Sequence, residues 1–290
     1  MPNLILRSKI LIFLALLLPL DLPAQPALTE TSLRQDVEFL SGEFCQGRGT
    51  GTRGAAESAF FLLRRFREAG LEPRLQTFDA EGSIARNVIA EYREDYSSDR
   101  YILVCAYYDG LGVLSGRMYP GADANASGVA ALLAAASRIA AARPRANYLF
   151  AALDGHMSGL SGAQALYGYR RVRLAVNLDT VGSSLAPVSS YWPDYLIALG
   201  GTPYEVGLEK ANKATDLRLY YDYYGSRDFT DFFYRKVSDQ KVFVSHGIPA
   251  VMFTSGITDH TNKESDTAST LDYRLLCLRA RLISDWLLSL

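Results

Sequence analysis

Residues 105–128, CAYYDGLGVLSGRMYPGADANASG, decide the fold predicted for this chain of 290 residues. The apolar run 101–106 ends in YYD at 107–109, a glycine-rich loop follows, and NASG at 125–128 opens an alanine-rich helix. In α/β proteins, side chains at the carboxyl ends of strands converge beside a helix N-terminus, and ligands collect there. The functional residues are therefore expected in this stretch and at the ends of neighbouring strands.

Strand and helix patterns alternate on both sides of this stretch. Short apolar runs predict strands at 74–78, 87–92, 101–106, 148–153, 175–178, 195–199 and 250–254. Apolar or amphipathic runs predict helices at 32–40, 55–69, 126–142, 204–214, 229–234 and 272–290, and another that ends near 169. This alternation indicates an α/β fold, a three-layer α/β/α sandwich around a mixed, mostly parallel sheet.

Three local patterns carry further expectations. Ser32 starts a capping box for the first helix. Phe60, Leu63 and Phe66 are expected to form the buried face of the second helix. The tyrosine-rich run 220–234 favours aromatic packing under a loop and a helix, with a binding patch as the alternative.

The N-terminal segment 1–24 has the features of a secretory signal. Two basic residues, Arg7 and Lys9, precede the apolar run 10–20, and cleavage is expected at the end of the segment. The run is shorter than the roughly 20 apolar residues that a helix needs to cross a bilayer. We therefore expect a protein that is exported to the periplasm or the extracellular space, with no membrane span and with residues 25–290 as one domain.

Charge and cysteine content exclude several classes of protein. Lys and Arg number 30 against 31 Asp and Glu, so the net charge of −1 gives no reason to expect nucleic acid or an anionic membrane as a partner. Cys45, Cys105 and Cys277 allow at most one disulfide and contain no CxxC, so neither a disulfide scaffold nor structural zinc is expected. Cys105 lies in an apolar run and is expected to be buried.

Several short motifs then follow one another in a recognisable order. They are RGTGT at 48–52, GLEP at 70–73, NVIA at 87–90, GADANASG at 121–128, NLD at 177–179, SD at 238–239, GIP at 247–249 and DT at 266–267. In this order they resemble the secreted two-zinc aminopeptidase family of bacterial exopeptidases, whose relatives include glutaminyl cyclases and the transferrin receptor ectodomain. The resemblance covers the mature chain and implies a zinc-exopeptidase-like fold.

The resemblance also implies five metal-ligand positions and one general base, and most of these positions are substituted. The histidine of the family's H-x-D motif falls on Tyr107, whereas the orienting Asp109 is retained. The bridging aspartate falls on Ala124. The pair of glutamates, base and then ligand, falls on His156 and Met157.

Only two of the implied ligand positions keep a metal-binding side chain, Asp179 and, as the expected fifth ligand, His260. A catalytic zinc normally has three protein ligands and an open position for water. Two divalent cations about 3.5 Å apart repel each other by on the order of 20 kcal/mol at an effective dielectric near 20. A bridging carboxylate offsets much of that repulsion, and a methyl group does not. We therefore expect no cofactor and no two-metal hydrolysis.

The substitutions favour a catalytically inactive pseudo-peptidase that binds a peptide or other ligand or partner in the old cleft. The residues expected to line this cleft are Tyr107, Asp109, Ala124, His156, Met157 and Asp239. One alternative is an active metallo-aminopeptidase with a single zinc on His156, Asp179 and His260. Another is a structural role in an envelope complex, with the cleft filled by side chains. Asp179 and His260 each have a structural alternative, in which Asp179 bonds a helix N-terminus or a histidine and His260 is a structural residue of a polar loop.

Overall fold

The computed structural model describes residues 28–290, and the predicted signal segment 1–24 lies outside them. The described part contains eight α-helices, which are α1 (Glu30–Ser41), α2 (Arg53–Glu68), α3 (Gly128–Ala142), α4 (Ser161–Leu166), α5 (Glu205–Asn212), α6 (Arg227–Lys236), α7 (Gln240–Ser245) and α8 (Tyr273–Leu287). It contains ten strands, which are β1 (Pro73–Ala80), β2 (Ser83–Tyr92), β3 (Arg100–Tyr107), β4 (Gly112–Leu114), β5 (Arg117–Tyr119), β6 (Tyr148–Leu153), β7 (Arg171–Leu178), β8 (Tyr195–Leu199), β9 (Arg218–Tyr220) and β10 (Ala250–Thr254).

Eight of these strands form one sheet in the order β1-β2-β6-β3-β7-β10-β8-β9, and β4 pairs with β5 in a separate hairpin. β3 runs parallel to its neighbours β6 and β7, and β7 runs parallel to β10. The pairs β1–β2, β2–β6 and β8–β10 are antiparallel. The predicted mixed, mostly parallel sheet is confirmed. The carboxyl ends of β3, β6, β7 and β10 therefore lie along one edge, where a site is expected.

Helices cover both faces of the sheet and complete the three layers. Alternate residues of β3 point to opposite faces. Ile102 and Val104 pack with residues of α1, α2, α3 and α8, whereas Cys105 packs with residues of α4 and α7. Cys105 is fully buried, as predicted, and Cys45, Cys105 and Cys277 all carry free thiols.

The alanine-rich helix lies in the middle of one layer. Among residues 28–290, the helical stretch 122–142 alone is long and apolar enough to cross a membrane, and 78 % of its apolar window is buried inside the fold. Its N-terminal residue Gly128 lies so close to the carbonyl oxygen of Leu178 that a Cβ would overlap it. This stretch is therefore a core helix, packed directly against the end of β7.

Two helix details predicted from the sequence are wrong. α1 begins before Ser32, because Thr29 is the N-cap and its Oγ1 accepts the N–H of Ser32 at 3.1 Å. In α2, Leu63 and Phe66 are buried as predicted, but Phe60 is 62 % exposed. The buried face of α2 also includes Ala59 and Leu62, and it leaves Phe60 outside. The strands β4, β5 and β9 were not predicted, because three residues are too short to show a period. The helix α7 was not predicted either.

Candidate functional site

The predicted site residues that follow the parallel strands meet at one cavity of about 140 Å³. Tyr107 is the last residue of β3, His156 and Met157 follow β6, and Asp179 follows β7. All four line the cavity. The sequence therefore predicted both the edge of the sheet and these four residues.

His156 is held on two sides. Its Nδ1 lies 2.8 Å from Oδ2 of Asp239, which is fully buried, and its ring stacks on Tyr107 with ring centroids 3.7 Å apart. Burial by itself lowers the pKa of His156, but the carboxylates of Asp239, Asp179 and Asp109 act in the opposite direction and raise it to about 9. The side chain is therefore an imidazolium at neutral pH, and its Nδ1–H donates to Asp239.

Asp179 is buried beside this cation. Burial raises the pKa of its carboxyl group, while the charge of His156 and hydrogen bonds from the hydroxyls of Ser238 and Tyr107 act to lower it. Burial raises the pKa of Tyr107 well above its usual range, so its hydroxyl is neutral and acts as the donor. The Asp179 carboxyl group therefore already interacts with three side chains of the protein, those of His156, Ser238 and Tyr107.

Asp109 lies behind the cavity and does not line it, contrary to the expectation. It is fully buried, and its carboxylate accepts the N–H groups of His156 and Met157, both at 3.0 Å. It also accepts the hydroxyl of Thr50 at 3.1 Å. Burial raises the pKa of Asp109 to about 6. The residue fixes the backbone turn that presents His156 and Met157 to the cavity.

Ala124 and Asp239 are buried as well and do not line the cavity. The N–H of Ala124 donates to Oδ2 of Asp266 at 3.0 Å. The neighbouring carboxylate, that of Asp123, accepts the N–H of Gly182 at 2.8 Å. Asp123, the only acidic residue adjacent to Ala124 in the chain, is held through its Oδ1 and does not line the cavity, so it does not replace the missing bridging ligand.

His260 does not line the cavity, although its neighbours Thr261 and Asn262 do. Its Nδ1 lies 2.8 Å from Oγ of Ser265. Within residues 28–290, no group of three or more His, Cys, Asp or Glu side chains is arranged to hold a metal ion. His156, Asp179 and His260 are therefore not brought together as one zinc site. The donor set of this cleft does not fit zinc.

The sequence did not predict the apolar wall of the cavity. Phe233, Val237 and Met252 line it, together with Tyr223, whose ring stacks on Phe233 at 4.1 Å between centroids. The tyrosine-rich run was the available signal. Its predicted packing holds for Tyr223, which is buried, but Phe229 on α6 is 59 % exposed.

A three-layer domain with this strand order and a cleft at the carboxyl ends of its parallel strands has the fold of the zinc exopeptidases. Solved structures with the same fold include the LapA aminopeptidase of Legionella pneumophila, with a TM-score of 0.72 and 15 % identity over 89 % of this chain and 70 % of that one. BSAP, a zinc aminopeptidase from Bacillus subtilis, matches with a TM-score of 0.72 and 14 % identity over 91 % and 95 %. The glutaminyl cyclase of Porphyromonas gingivalis matches with a TM-score of 0.70 and 18 % identity over 89 % and 97 %.

Residues 87–287 match the family model of peptidase family M28, and the chain belongs to this family. A curated relative described as a probable zinc metalloprotease, from Pyrenophora teres f. teres (strain 0-1), is 27 % identical over 263 residues, which cover 82 % of this chain and 56 % of the relative. The chain spans about half the length of the curated relatives that it matches. The predicted resemblance to zinc aminopeptidases and glutaminyl cyclases is confirmed at the level of family and fold.

Proposed function

We propose that this member of peptidase family M28 is a pseudo-peptidase, which has lost catalysis and binds a peptide or other small ligand in its cleft. The observation that carries the proposal is the pair of His156 and Asp239. The position at which the family resemblance implies a glutamate base holds an imidazolium, bonded to a buried carboxylate and stacked on Tyr107. An imidazolium has no free lone pair with which to accept a proton from water.

The other substituted positions support the same proposal. Tyr107, Ala124 and Met157 stand where the resemblance implies a histidine, an aspartate and a glutamate. A phenol with a raised pKa, a methyl group and a thioether are poor ligands for zinc, which takes imidazole, thiolate and carboxylate. Asp179 and His260 remain, one for each of the two implied metals.

The alternative, an active aminopeptidase with one zinc on His156, Asp179 and His260, requires a rearrangement of the cleft. His156 would have to leave Asp239, and His260 would have to leave Ser265. The first change would strand a buried carboxylate, which costs several kcal/mol in general. The inactive form requires neither change.

The cavity supports a ligand that inserts one apolar side chain. Its volume of about 140 Å³ is below the roughly 300 Å³ at which pockets for whole small molecules begin. Phe233, Val237 and Met252 form an apolar wall, and Asp179 and His156 form a charged side. A peptide that lies across the cleft and inserts one side chain fits this shape, and the open volume disfavours the hypothesis of a filled cleft.

The proposal is tested by measuring the zinc content of the purified protein after exposure to zinc, together with cleavage of aminoacyl chromogenic substrates. We expect no stoichiometric zinc and no turnover. Stoichiometric zinc with turnover, both lost in His260→Ala and both kept in His246→Ala, would establish the active alternative instead. His246 is the matched control because it caps the end of α7 and bonds the carbonyl of Val242.

A variant in which the implied metal-ligand and base residues are restored tests whether zinc is lost because of the substituted side chains or because the fold no longer presents the site. It carries Tyr107→His, Ala124→Asp, His156→Glu and Met157→Glu. If these substitutions are what removed the metal, the restored variant binds zinc and the natural chain does not. Binding by both proteins alike would contradict the proposal, because the substituted positions would then not control the metal.

We also propose that the protein is exported and that neither nucleic acid nor a lipid bilayer is its partner. The segment 1–24 and the net charge of −1 support this. Expression of the full chain in a bacterial host, followed by mass spectrometry of the N-terminus in the periplasmic and cytoplasmic fractions, tests it. Cleavage near Ala24 in the periplasmic fraction is the expected result, and an uncleaved cytoplasmic chain would refute export.

A further inference from the structure

A second and larger cavity, of about 530 Å³, lies beside the last strand of the sheet. It shares no lining residue with the cleft described above. Residues of α5 and of β9 line it, together with Trp192. The cavity is therefore independent of the proposed peptidase-like cleft.

The free edge of the sheet opens into this cavity. In the described range 28–290, β9 is the last strand in the sheet and pairs only with β8. The N–H of Arg218 donates to the carbonyl of Asp194 at 2.9 Å, so the main-chain groups of Arg218 face β8. Because these groups alternate in direction along a strand, the N–H and C=O of Leu219 face the open side. Leu219 lines the cavity.

The side chain of Asn212 makes the two hydrogen bonds that a neighbouring strand would make at this edge. The Oδ1 of Asn212 accepts the N–H of Leu217 at 2.9 Å, and its Nδ2 donates to the carbonyl of Leu217 at 2.6 Å. Leu217 and Leu219 present their main-chain groups on the same side, two residues apart. The side-chain amide of Asn212 therefore occupies the main-chain groups of Leu217. The main-chain groups of Leu219 are left for the peptide group of an added strand.

The cavity carries negative charge that the protein does not neutralise. Glu205, Glu209 and Asp216 line it, and within residues 28–290 none of these carboxylates has an ion-pair partner. One cation, Arg218, also lines the cavity, and its guanidinium lies over the ring of Tyr220 at 6.0 Å. The charge of the lining is thus negative, with three carboxylates against one guanidinium.

Two aromatic residues complete the lining. Trp192 is 61 % exposed and offers a ring face for a cation. The hydroxyl of Tyr221 is buried and has no hydrogen-bond partner in the part of the chain that the structure describes. Burial, together with the charges of Glu209 and Glu205, raises the pKa of Tyr221 to about 12, so this unused hydroxyl is a neutral donor and acceptor.

We propose that this groove binds an extended basic peptide segment, which adds as a strand along Leu219 and places lysine or arginine side chains against Glu205 and Glu209. Strand addition supplies main-chain hydrogen bonds, and the flanking charges select the side chains. An acidic segment is disfavoured because like charges would face one another. The partner is thus a chain with an exposed, positively charged extended segment.

The experiment measures fluorescence anisotropy of a labelled short peptide in which threonine and lysine alternate, titrated with the full chain. Two control peptides have glutamate in place of lysine, or N-methyl groups on alternate amides. We expect saturable binding of the lysine peptide that weakens as salt is raised. Both control peptides should bind at least about tenfold more weakly. No saturable binding up to about 1 mM, or equal binding of either control peptide, would overturn the proposal.

Variants of the protein locate the binding site. The double variant Glu205→Gln, Glu209→Gln should weaken binding by about tenfold or more. Glu81→Gln, an exposed acid at the turn between β1 and β2 on the far edge of the sheet, is the matched control and should have no effect. Equal weakening by both would overturn the proposal. His156→Gln changes a residue of the peptidase-like cleft and none that lines the groove, so unchanged binding in this variant keeps the two proposals separate.

Discussion

His156 and Asp239 form a buried ion pair, with 2.8 Å between Nδ1 and Oδ2. Among residues 28–290, the other carboxylate oxygen of Asp239 has no hydrogen-bond partner. Asp239 therefore depends on His156 for its charge compensation, and His156 depends on the surrounding carboxylates for its proton. The cleft has its own cation at the place where the family resemblance implies a base beside metal ions.

The protonation of His156 should be visible by NMR. The chain has three histidines, and the variants His246→Gln and His260→Gln assign the imidazole signals. We expect His156 to titrate near pH 9 rather than near its ordinary pKa of 6.5, because nearby carboxylates outweigh the effect of burial. Asp239→Asn should lower this midpoint, since it removes the charge in direct contact. A midpoint at or below 6.5 in the natural chain would contradict the ion pair.

The same shift predicts how stability changes with pH. The pKa of His156 is raised from 6.5 in the unfolded chain to about 9 in the fold, so its stabilising contribution is complete below pH 6.5 and is lost as the pH rises through 9. The free energy of unfolding of the natural chain should therefore fall, relative to His156→Gln, by on the order of 2–3 kcal/mol across this window. Urea denaturation at several pH values measures it. A difference that is flat with pH would refute the prediction.

Asp109 should be needed for the shape of the cleft rather than for chemistry. Asp109→Asn keeps one acceptor oxygen but turns an N–H₂ group toward the backbone N–H of His156 or Met157. Leaving one of these buried donors unbonded should lower the free energy of unfolding by about 1–3 kcal/mol. Hydrogen exchange at His156 and Met157 should become faster. Asp259→Asn, at an exposed position, is the control and should change neither, and an Asp109→Asn protein as stable as the control would disprove this role.

Sequence patterns located the elements that have sharp boundaries. β8 and β10 have the bounds that were predicted, because a proline precedes each apolar run and glycines follow β8. β9 was missed because its three residues carry no period, and its place is set by pairing with β8. Local sequence patterns therefore predict the position of β8 and β10, whereas the position of the edge strand β9 is determined by its long-range pairing with β8.

The residues of the candidate site likewise fall into those that the sequence predicts and those whose contacts depend on long-range folding. Tyr107, His156 and Asp179 follow parallel strands, so the topology alone brings them together. The contact of Asp239 with His156 joins residues from distant segments of the chain, and no spacing rule predicts it. His260 lies in a loop whose path is set by its own hydrogen bonds, which is why its expected place among the ligands is not observed.

Arg48 links the segments that support the cleft. It is fully buried, and its guanidinium donates to the carbonyl oxygens of Leu40, Tyr108, Pro120 and Gly121 at 2.6–2.8 Å. These acceptors belong to the end of α1, to the residue after β3 and to the loop before α3. The sequence indicated Arg48 only as part of the RGTGT motif, whereas the structure gives this residue a role in holding the cleft together.

Arg48→Lys should therefore destabilise the fold although it keeps the charge. A lysine ammonium is a compact donor that does not reproduce the planar fork of the guanidinium, so at least one buried carbonyl loses its partner. We expect a loss of on the order of 3 kcal/mol in the free energy of unfolding by urea, with faster hydrogen exchange in the loop before α3. Arg53→Lys at an exposed position is the matched control and should have no measurable effect. If Arg48→Lys matched that control, the four carbonyl contacts would contribute nothing to stability, and the cleft would have to be held by its hydrogen-bonded carboxylates alone.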